Sequence, residues 1–487
     1  MTARPVPAEP TLRPDAVGFL DALVIGLAAT SPAYSLAAVL GPVVALVGVH
    51  APGVLLASFV PMLLIAGAFA ALNRVDPDCG TTFSWVTRAL GPWTGWIGGW
   101  AIAMTGVLVL GSLAEVGVRF TLLALELNAA AGSTPLVMGL AVGLILLMAW
   151  ICVRGTELSA RLQNGLILAQ TAALAVFAAV ALARGLQGDS PFGAISPSWE
   201  WLDPFGAGGA GLTGGLLLGV FAYWGWESAV NLTEETTNPR TAPGRAAVLS
   251  TVVLLLTYLG VATAVVSFAG TGFLAGNADE EEAVVALLSS EVLGGWDWVV
   301  LVAVATSAIA STQTTIIPAS RTGLSMARRG ALPRRFASIS PPHRTPDVST
   351  WWVAAVGVAW YVVVGLISEN ALYDSLTGLS LLIALYYALT GLACAVYFRR
   401  RLFASTRNLL LLGVGPLAGA GMLAWLLVLS VRDLADAGNS YTGQAWLGVG
   451  PPLVIGVGVM AAGVGLMLWW RRWDTAFWRE RASTAEG

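Results

Sequence analysis

Residues 25–41 read IGLAATSPAYSLAAVLG, an apolar stretch interrupted at its centre by Thr30, Ser31 and Pro32. Proline has no amide hydrogen and its ring blocks the carbonyl four residues earlier, so a helix through this stretch must kink or break. A second stretch, GVFAYWGWESAVNL at residues 219–232, places a glycine and an ionisable glutamate in an equally apolar setting. The chain therefore contains two interrupted apolar segments, and its composition shows which solvent surrounds them.

The composition is that of a membrane protein. Of the 487 residues, 56% are hydrophobic and 11% are charged, whereas about 25% of the residues in a soluble chain are charged. So few charges cannot cover a soluble surface, which excludes a soluble enzyme, a secreted disulfide scaffold and a disordered chain. The net charge of −3 gives no support for a nucleic-acid partner.

The apolar stretches predict an all-α integral membrane protein. A bilayer core about 30 Å thick needs about 20 mainly apolar helical residues, and lipid offers no partner to an unpaired backbone amide. Twelve stretches meet this requirement, and they leave polar tails at residues 1–16 and 471–487. The predicted spans are 17–47, 51–73, 93–119, 135–153, 160–184, 212–231, 244–270, 296–326, 351–368, 372–398, 408–431 and 448–470.

The basic residues predict the orientation. All 25 of them are arginine, and only Arg119, Arg184 and Arg432 lie in outer segments when the N-terminus is placed in the cytoplasm. Because basic residues concentrate on the cytoplasmic side, we expect a multi-pass protein of the cell membrane with both termini cytoplasmic. The inner arginines are then placed to contact anionic lipid head groups.

The positions of the two interruptions predict a transporter. Either one alone is explained by a proline kink or a packing glycine. They fall, however, in the first and sixth predicted spans, at corresponding positions of two five-helix halves, residues 17–184 and 212–398. Five spans is an odd number, so the halves are inverted relative to each other. Paired interruptions of this kind indicate a binding site near the membrane midplane in secondary transporters.

An unwound segment exposes amides that attract a carboxylate and carbonyls that attract an ammonium group or a cation. Small residues of the first interruption let a substrate reach this backbone, and aromatic residues of the second provide apolar walls. The predicted substrate-binding residues are Ala29, Thr30, Ser31, Ala33, Phe221, Tyr223, Trp224, Gly225 and Trp226.

Two groups of residues are candidates for coupling transport to an ion. Burial disfavours the charged form of Glu227, so this side chain can take up a proton; alternatively, it locks the backbone amides of the broken helix. The hydroxyls of Ser311, Thr312 and Thr315 could present oxygen ligands to Na⁺. Alternatively, these hydroxyls bond to their own helix and mark close helix packing.

The sequence predicts no catalytic residue, metal site or cofactor. Cys79, Cys152 and Cys394 are far apart and form no CxxC motif. His50 and His343 lie nearly 300 residues apart, and the chain contains no lysine. The expected partners are a small-molecule substrate, a coupling proton or Na⁺, and membrane lipid.

Three segments resemble the amino acid–polyamine–organocation (APC) permeases. FAYWGWESAVNLTEETTNPRTAPGRA at 221–246 is similar to their span-6 signature, and SRTGLSMARRGALPRRFASISPPHRTP at 320–346 is similar to the loop after span 8. PDCGTTFSWVTRALGPWTGWIGGW at 77–100 resembles the stretch leading into span 3. The resemblance implies the LeuT-type fold: twelve transmembrane helices, a 5+5 inverted repeat, and two peripheral helices at 408–470. It also implies transport of amino acids or related amines by alternating access.

The chain departs from these permeases at two places. They usually have a Gly-Ser-Gly-like turn where this sequence has Thr30, Ser31 and Pro32, so one amide donor is missing from the expected carboxylate site. Many proton-coupled members carry a lysine at the position of Gln170, whose neutral amide cannot take up and release a proton. By the resemblance, Tyr223 occupies the aromatic position that covers the substrate. We therefore expect proton-coupled uptake of a neutral amino acid, with amino acid or amine exchange and Na⁺-coupled symport as alternatives.

Overall fold

The computed structural model describes residues 11–277, 281–367, 371–440 and 442–479. Most of the predicted N-terminal tail and the last eight residues of the predicted C-terminal tail, 480–487, lie outside this part of the chain. The described residues are mainly helical, and extended pairing among them is limited to two isolated bridges.

The first half of the chain forms nine helices up to the second interruption. They are α1 (Phe19–Thr30), α2 (Pro32–Val47), α3 (Ala51–Val75), α4 (Thr82–Leu90), α5 (Pro92–Ala124), α6 (Asn128–Ala131), α7 (Thr134–Arg154), α8 (Thr156–Gln187) and α9 (Gly209–Ala222). Proline opens several of them, including α2 and α5, because it needs no amide partner in a first helical turn.

The second half continues from α10. Its helices are α10 (Ser228–Asn231), α11 (Ala242–Gly276), α12 (Glu281–Leu293), α13 (Trp298–Arg328), α14 (Asp347–Ile367), α15 (Ala371–Tyr397), α16 (Thr406–Asn408), α17 (Gly415–Asp433) and α18 (Pro451–Trp470).

The chain has the architecture of a multi-pass membrane protein. Ten helical stretches among the described residues are long and apolar enough to cross a membrane. One of them, Phe19–Val75, takes in α1, α2 and α3, while α9 is too short because the helix ends at Ala222. The predicted twelve spans and their inverted repeat remain predictions.

Helices α5 and α13 form the centre of the bundle. The apolar cores of these helices are 78% and 83% buried, against 33% for α7 and 28% for α18. Helix α13 packs along α5 and also contacts α1, α2 and α8. In a bilayer, apolar side chains face lipid and protein equally well, so small and polar residues mark the helices that pack at the centre. Both interrupted segments lie against this central pair.

Candidate functional site

The first interruption is a single residue. Helix α1 ends at Thr30 and α2 begins at Pro32, while Ser31 between them has a left-handed conformation, with φ of 55° and ψ of 66°. The left-handed conformation is costly for a residue with a side chain, so the surrounding contacts must hold Ser31 in place. Because Pro32 has no amide hydrogen, Ala33 is the first residue of α2 that can present one.

Hydroxyl groups satisfy the carbonyls at the end of α1. The Ser311 hydroxyl of α13 donates to the Ala29 carbonyl at 2.9 Å, and the Ser35 hydroxyl of α2 donates to the Thr30 carbonyl at 2.8 Å. These carbonyls have lost their intrahelical partners at the helix end. The hydroxyls therefore replace backbone amides and stabilise the interruption.

Helix α13 is attached to this interruption at two levels. The hydroxyl oxygens of Ser31 and Ser307 are 2.9 Å apart, and Ser307 lies one helical turn before Ser311. Residues four apart lie on the same face of a helix. Ser307 and Ser311 thus form a polar face directed at the end of α1.

The other two predicted ion-coupling residues lie elsewhere. The Thr312 hydroxyl donates to the carbonyl of Ala308 in its own helix at 2.8 Å, as the alternative interpretation of this polar run expects. Thr315 faces α5, where its carbonyl would be 3.3 Å from a Cβ atom added at Gly106. Of the three predicted hydroxyl residues, Ser311 is the one that reaches the first interruption.

The second interruption touches the first through the backbone. Between α9 and α10 the chain forms turns, and Gly225 there has a φ of +123°. A Cβ atom added at this glycine would lie 2.6 Å from the Ala29 carbonyl oxygen and 2.8 Å from the Thr30 nitrogen. Both the left-handed conformation and the close approach therefore require glycine. The last carbonyl of α9, that of Ala222, accepts a hydrogen bond from the Tyr258 hydroxyl at 2.6 Å.

Glu227 ties the second interruption to α15. One carboxylate oxygen accepts a hydrogen bond from the Tyr386 hydroxyl, and the other accepts from the Tyr387 hydroxyl at 2.5 Å and the Gly225 amide at 3.2 Å. The indole N–H of Trp224, which can only donate, reaches the Tyr386 oxygen at 2.6 Å. The proton of Tyr386 is therefore directed at Glu227, and such donors suit a charged carboxylate. The contact with the Gly225 amide is one that a structural lock would make, and both the lock and proton transfer by Glu227 remain predictions.

A narrow cavity, with room for about one water molecule, lies between the two interruptions. Its wall is formed by residues of the two interruptions and of helices α5 and α13. Its lining residues, all uncharged, are Ala29, Thr30, Ser31, Tyr34, Ser35, Val109, Leu113, Phe221, Trp224 and Ser311.

The predicted substrate-binding residues divide into two groups. Those that line this cavity are Ala29, Thr30, Ser31, Phe221 and Trp224. The ring of Tyr223 instead packs against Tyr258 with 4.9 Å between centroids, and Trp226 stacks on Tyr387 at 5.2 Å. This differs from the expectation that Tyr223 covers the substrate. Residues three apart share a side of a helix or turn, so positions 221 and 224 face the cavity while 223 and 226 face away.

Sequence reasoning missed Tyr34, Ser35, Val109 and Leu113 in the lining. Tyr34 and Ser35 follow the interruption by one helical turn, which is a usable signal. Val109 and Leu113 have the spacing of one helix face, but nothing in the sequence distinguishes that face of α5 from the others.

A larger cavity lies on the other side of α2, between α2, α8, α11, α12 and α13. Ala33, a predicted site residue, lines this cavity, whose polar lining is confined to Asn277. Burying a charged or polar group without hydrogen-bond partners is costly. The smaller cavity, with its hydroxyls and helix ends, is therefore the candidate site for a polar solute.

Two glutamines of α8 are buried inside the protein. The Gln163 amide donates to the carbonyl of Ala310 at 3.2 Å and to the side-chain oxygen of Gln313 at 2.5 Å. Gln170 lies two turns further along α8 and is fully buried, and neither end of its amide has a hydrogen-bond partner among the described residues. The position matched to the permease lysine is thus a neutral amide inside the protein.

A layer of ion pairs holds one end of the bundle together, and we call it the charged layer. Its residues are Asp76, Asp78, Arg88, Glu234, Glu235, Arg321, Arg328 and Arg329. Arg321 of α13 and Glu235, in the segment after α10, form a fully buried pair at 2.8 Å. Breaking a buried pair by removing one partner leaves an uncompensated charge. The charged layer therefore connects the segment after the second interruption firmly to α13.

Asp78, between α3 and α4, is held in its charged form. Burial raises the pKa of this carboxyl, but the Arg329 guanidinium and hydrogen bonds from the Gly80 amide and Ser325 hydroxyl outweigh burial and hold the pKa below its ordinary value. The ion pair with Arg329 measures 3.1 Å. Asp78 thus links the α3–α4 connection to the end of α13.

Asp78, Cys79 and Glu234 also lie close enough together to ligate a metal ion. Arg329 pairs with Asp78, however, and Arg328 pairs with Glu234 at 2.8 Å. The arginines already supply the positive charge that a metal would bring. We therefore interpret the three residues as part of the charged layer.

The family of the protein follows from comparison with known sequences. A family model for amino acid permeases matches residues 18–459, which is most of the chain. The protein therefore belongs to the amino acid permease family of the APC superfamily, as its motifs predicted, and this is a family of transporters rather than enzymes.

Individual relatives are distant. The methylthioribose transporter of Bacillus subtilis is 25% identical over 63% of this chain and 66% of its own length, slightly less than two thirds. The branched-chain amino acid permease of Lactococcus lactis is 25% identical over 70% of this chain and 74% of its own. The human Asc-type amino acid transporter 1 is 26% identical over 85% of this chain and 73% of its own.

Proposed function

We propose that the protein is a secondary active transporter that takes up a neutral amino acid across the cell membrane by alternating access. The observation that carries this proposal is the cavity between two helix interruptions that touch through Gly225 and Ala29. The proposal includes two inverted halves, residues 17–184 and 212–398, with residues 408–470 at the periphery. The low burial of α18 supports a peripheral place for it.

The groups around the cavity favour a substrate with a polar head and an apolar side chain. The helix dipole and the first amides of α2 favour a carboxylate at the end of α2 that begins at Pro32. Carbonyls and hydroxyls at the end of α1, including those of Ala29 and Ser311, are acceptors for an ammonium group. Recognition of a zwitterion at this point needs no charged side chain.

A neutral side chain is supported by the uncharged lining of the cavity. Val109, Leu113 and Phe221 provide apolar contact surface. The relatives named as amino acid permeases and transporters agree with this class of substrate. The relative named for methylthioribose makes that compound the competitor that a binding experiment should include.

We propose a proton as the coupling ion and Glu227 as its carrier. Glu227 is buried and contacts Gly225, the residue at which the two interruptions meet, so a change in its charge acts directly on the site. Na⁺ coupling is the alternative favoured by the Ser311 hydroxyl and the Ala29 carbonyl, which lie 2.9 Å apart. Exchange of amino acids or amines is the alternative if no gradient drives uptake.

Uptake into liposomes tests these proposals. The purified protein should accumulate labelled L-leucine or L-alanine when an inward proton gradient is imposed. Accumulation that depends on a Na⁺ gradient at equal pH would replace Glu227 by the Ser311 region as the coupling site. Uptake that requires preloaded substrate would indicate an exchanger. Binding of methylthioribose with no binding of any amino acid would overturn the substrate proposal.

A further inference from the structure

The residues that follow α18 fold back onto the bundle. We call residues 471–479 the α18 extension. Two of its side chains are buried, with Phe477 2% and Trp478 9% exposed. The ring of Phe477 lies 5.8 Å from that of Phe83 in α4, and the ring of Trp478 lies 5.7 Å from that of Trp96 near the start of α5. The extension is therefore packed against the end of the bundle that carries the charged layer.

The start of the extension contacts the residue that follows the arginines of α13. The indole N–H of Trp470, the last residue of α18, donates to the Gly330 carbonyl at 3.0 Å. Gly330 has a φ of +78°, and a Cβ atom added there would lie 2.9 Å from a carboxylate oxygen of Asp474. Gly330 directly follows Arg329, which pairs with Asp78 at 3.1 Å. The extension therefore holds the chain beside this ion pair.

These two contacts lie on opposite sides of the Asp78–Arg329 pair. Asp78 belongs to the connection that leads into α4, the helix that carries Phe83. Arg329 follows α13 and precedes Gly330, and its guanidinium lies 5.9 Å from the centre of the Phe83 ring. The extension thus bridges α4 and the end of α13. The two sides of the ion pair can separate only if the extension leaves one of them.

We propose that the α18 extension is an intramolecular latch that keeps the charged layer closed. Alternating access moves one part of a transporter against another, and the layer has to open when the site opens toward this end of the bundle. A segment shifts such an equilibrium only if it binds one state better than the other. The extension contacts both sides of the Asp78–Arg329 pair in the closed layer, so its docking favours that state. The inference is independent of which solute the protein carries.

Cys79 reports whether the layer is open. Its amide donates to Glu234 at 3.1 Å, its thiol lies 3.7 Å from the Arg321 carbonyl oxygen, and the residue is fully buried. The other two cysteines of the chain, Cys152 in α7 and Cys394 in α15, are buried away from the charged layer. Opening of the layer therefore exposes Cys79 alone, whereas a general loosening of the fold exposes all three thiols.

Alkylation of the purified, full-length protein by N-ethylmaleimide tests the inference. Mass spectrometry follows each cysteine separately, and the reaction is run well below the unfolding temperature of each variant. Trp478→Ala should raise the rate at Cys79 by about 10-fold or more, because a buried tryptophan contributes more than the free energy of a tenfold change in an equilibrium. Phe477→Leu should raise it less. The rates at Cys152 and Cys394 should stay at their wild-type values.

Trp473→Ala is the matched control. Trp473 belongs to the same extension but is 72% exposed, so its removal should leave the rate at Cys79 unchanged. An effect equal to that of Trp478→Ala would contradict the latch.

The remaining outcomes also decide. Rapid alkylation of Cys79 in the wild-type protein, or an unchanged rate in the variants, would overturn the inference. Equal acceleration at all three cysteines would show that the extension only stabilises the fold. If Trp478→Ala does not fold, Phe477→Leu, which keeps an apolar side chain, gives the answer. No substrate is present in this experiment, so its result is separate from that of the uptake assay.

Discussion

Gly225 is the residue whose replacement tests the contact between the two interruptions most directly. In Gly225→Ala, the new Cβ atom would lie 2.6 Å from the Ala29 carbonyl oxygen and 2.7 Å from its carbon, whereas real Cβ contacts below 3.0 Å are essentially never seen. The neighbours are backbone atoms, so no side-chain rotation relieves the overlap. The end of α1 must move away from the turn that follows α9.

The expected cost has two parts. Holding a residue with a side chain at a φ of +123° costs roughly 1–3 kcal/mol. Forcing an extra carbon into a packed contact costs about 1–3 kcal/mol more. The sum is about 2–6 kcal/mol. If about 2 kcal/mol of this cost is lost from the free energy of substrate binding, the affinity falls about 30-fold.

The assay combines thermal unfolding with equilibrium amino acid binding in detergent, using two glycine controls. In Gly53→Ala, the new Cβ atom would lie 2.7 Å from the backbone carbonyl carbon of Leu202, away from the cavity, so this variant should lower stability without lowering the affinity of the folded protein. Gly143→Ala lies in α7 with open space around its Cβ position and should be neutral or slightly stabilising. Gly225→Ala should lower both stability and affinity.

Wild-type affinity and stability in Gly225→Ala would refute the reasoning, because the backbone contact would then be absent in the membrane protein. An affinity loss in Gly53→Ala equal to that in Gly225→Ala would show that any destabilising substitution weakens binding. In that case the contact between the interruptions would have no special part in forming the site.

Three further predictions concern other parts of the molecule. Glu227→Gln keeps the side-chain size but cannot carry a proton, so gradient-driven uptake into liposomes should be lost while exchange persists; full retention of driven uptake would remove the proton assignment. Replacing one member of the buried Arg321–Glu235 pair, by Arg321→Met or Glu235→Gln, should lower thermal stability by about 3–5 kcal/mol, and the double variant should recover part of the loss. Additive losses would contradict this explanation. Trp478→Ala removes a side chain that is 9% exposed and should destabilise by about 3–5 kcal/mol, whereas Trp473→Ala, 72% exposed in the same segment, should have little effect on the unfolding temperature; equal effects would show that the segment does not pack as described.

Much of the architecture was predictable from the sequence. Hydrophobic stretches of membrane length identify helices because lipid leaves the backbone no other way to satisfy its amides. Pro32 predicted the first interruption because proline cannot continue the hydrogen-bond pattern of α1, and the structure breaks at the neighbouring Ser31. The motifs at 221–246 and 320–346 predicted the permease family, which the match over residues 18–459 confirmed.

The residues that line the cavity were harder to predict from the sequence. The aromatic segment at the end of α9 and just after it suggested four wall residues. Of these, Phe221 and Trp224 line the cavity, because the turns around Gly225 direct Tyr223 and Trp226 the other way. The local sequence does not encode these directions, since all four residues are large and apolar.

The sequence by itself determined the solvent of this protein, the existence of its helices and the places where two of them break, because these depend on local chemistry: hydrophobicity, proline geometry and the length of an apolar stretch. Only the tertiary structure decided that Gly225 meets Ala29, that Ser307 and Ser311 serve the end of α1, and that Tyr34 is bonded to Ser112. Each of these contacts joins residues far apart in the chain. In a bilayer an apolar helix face packs equally well against protein or lipid, so the pairing of faces is settled by the assembled bundle.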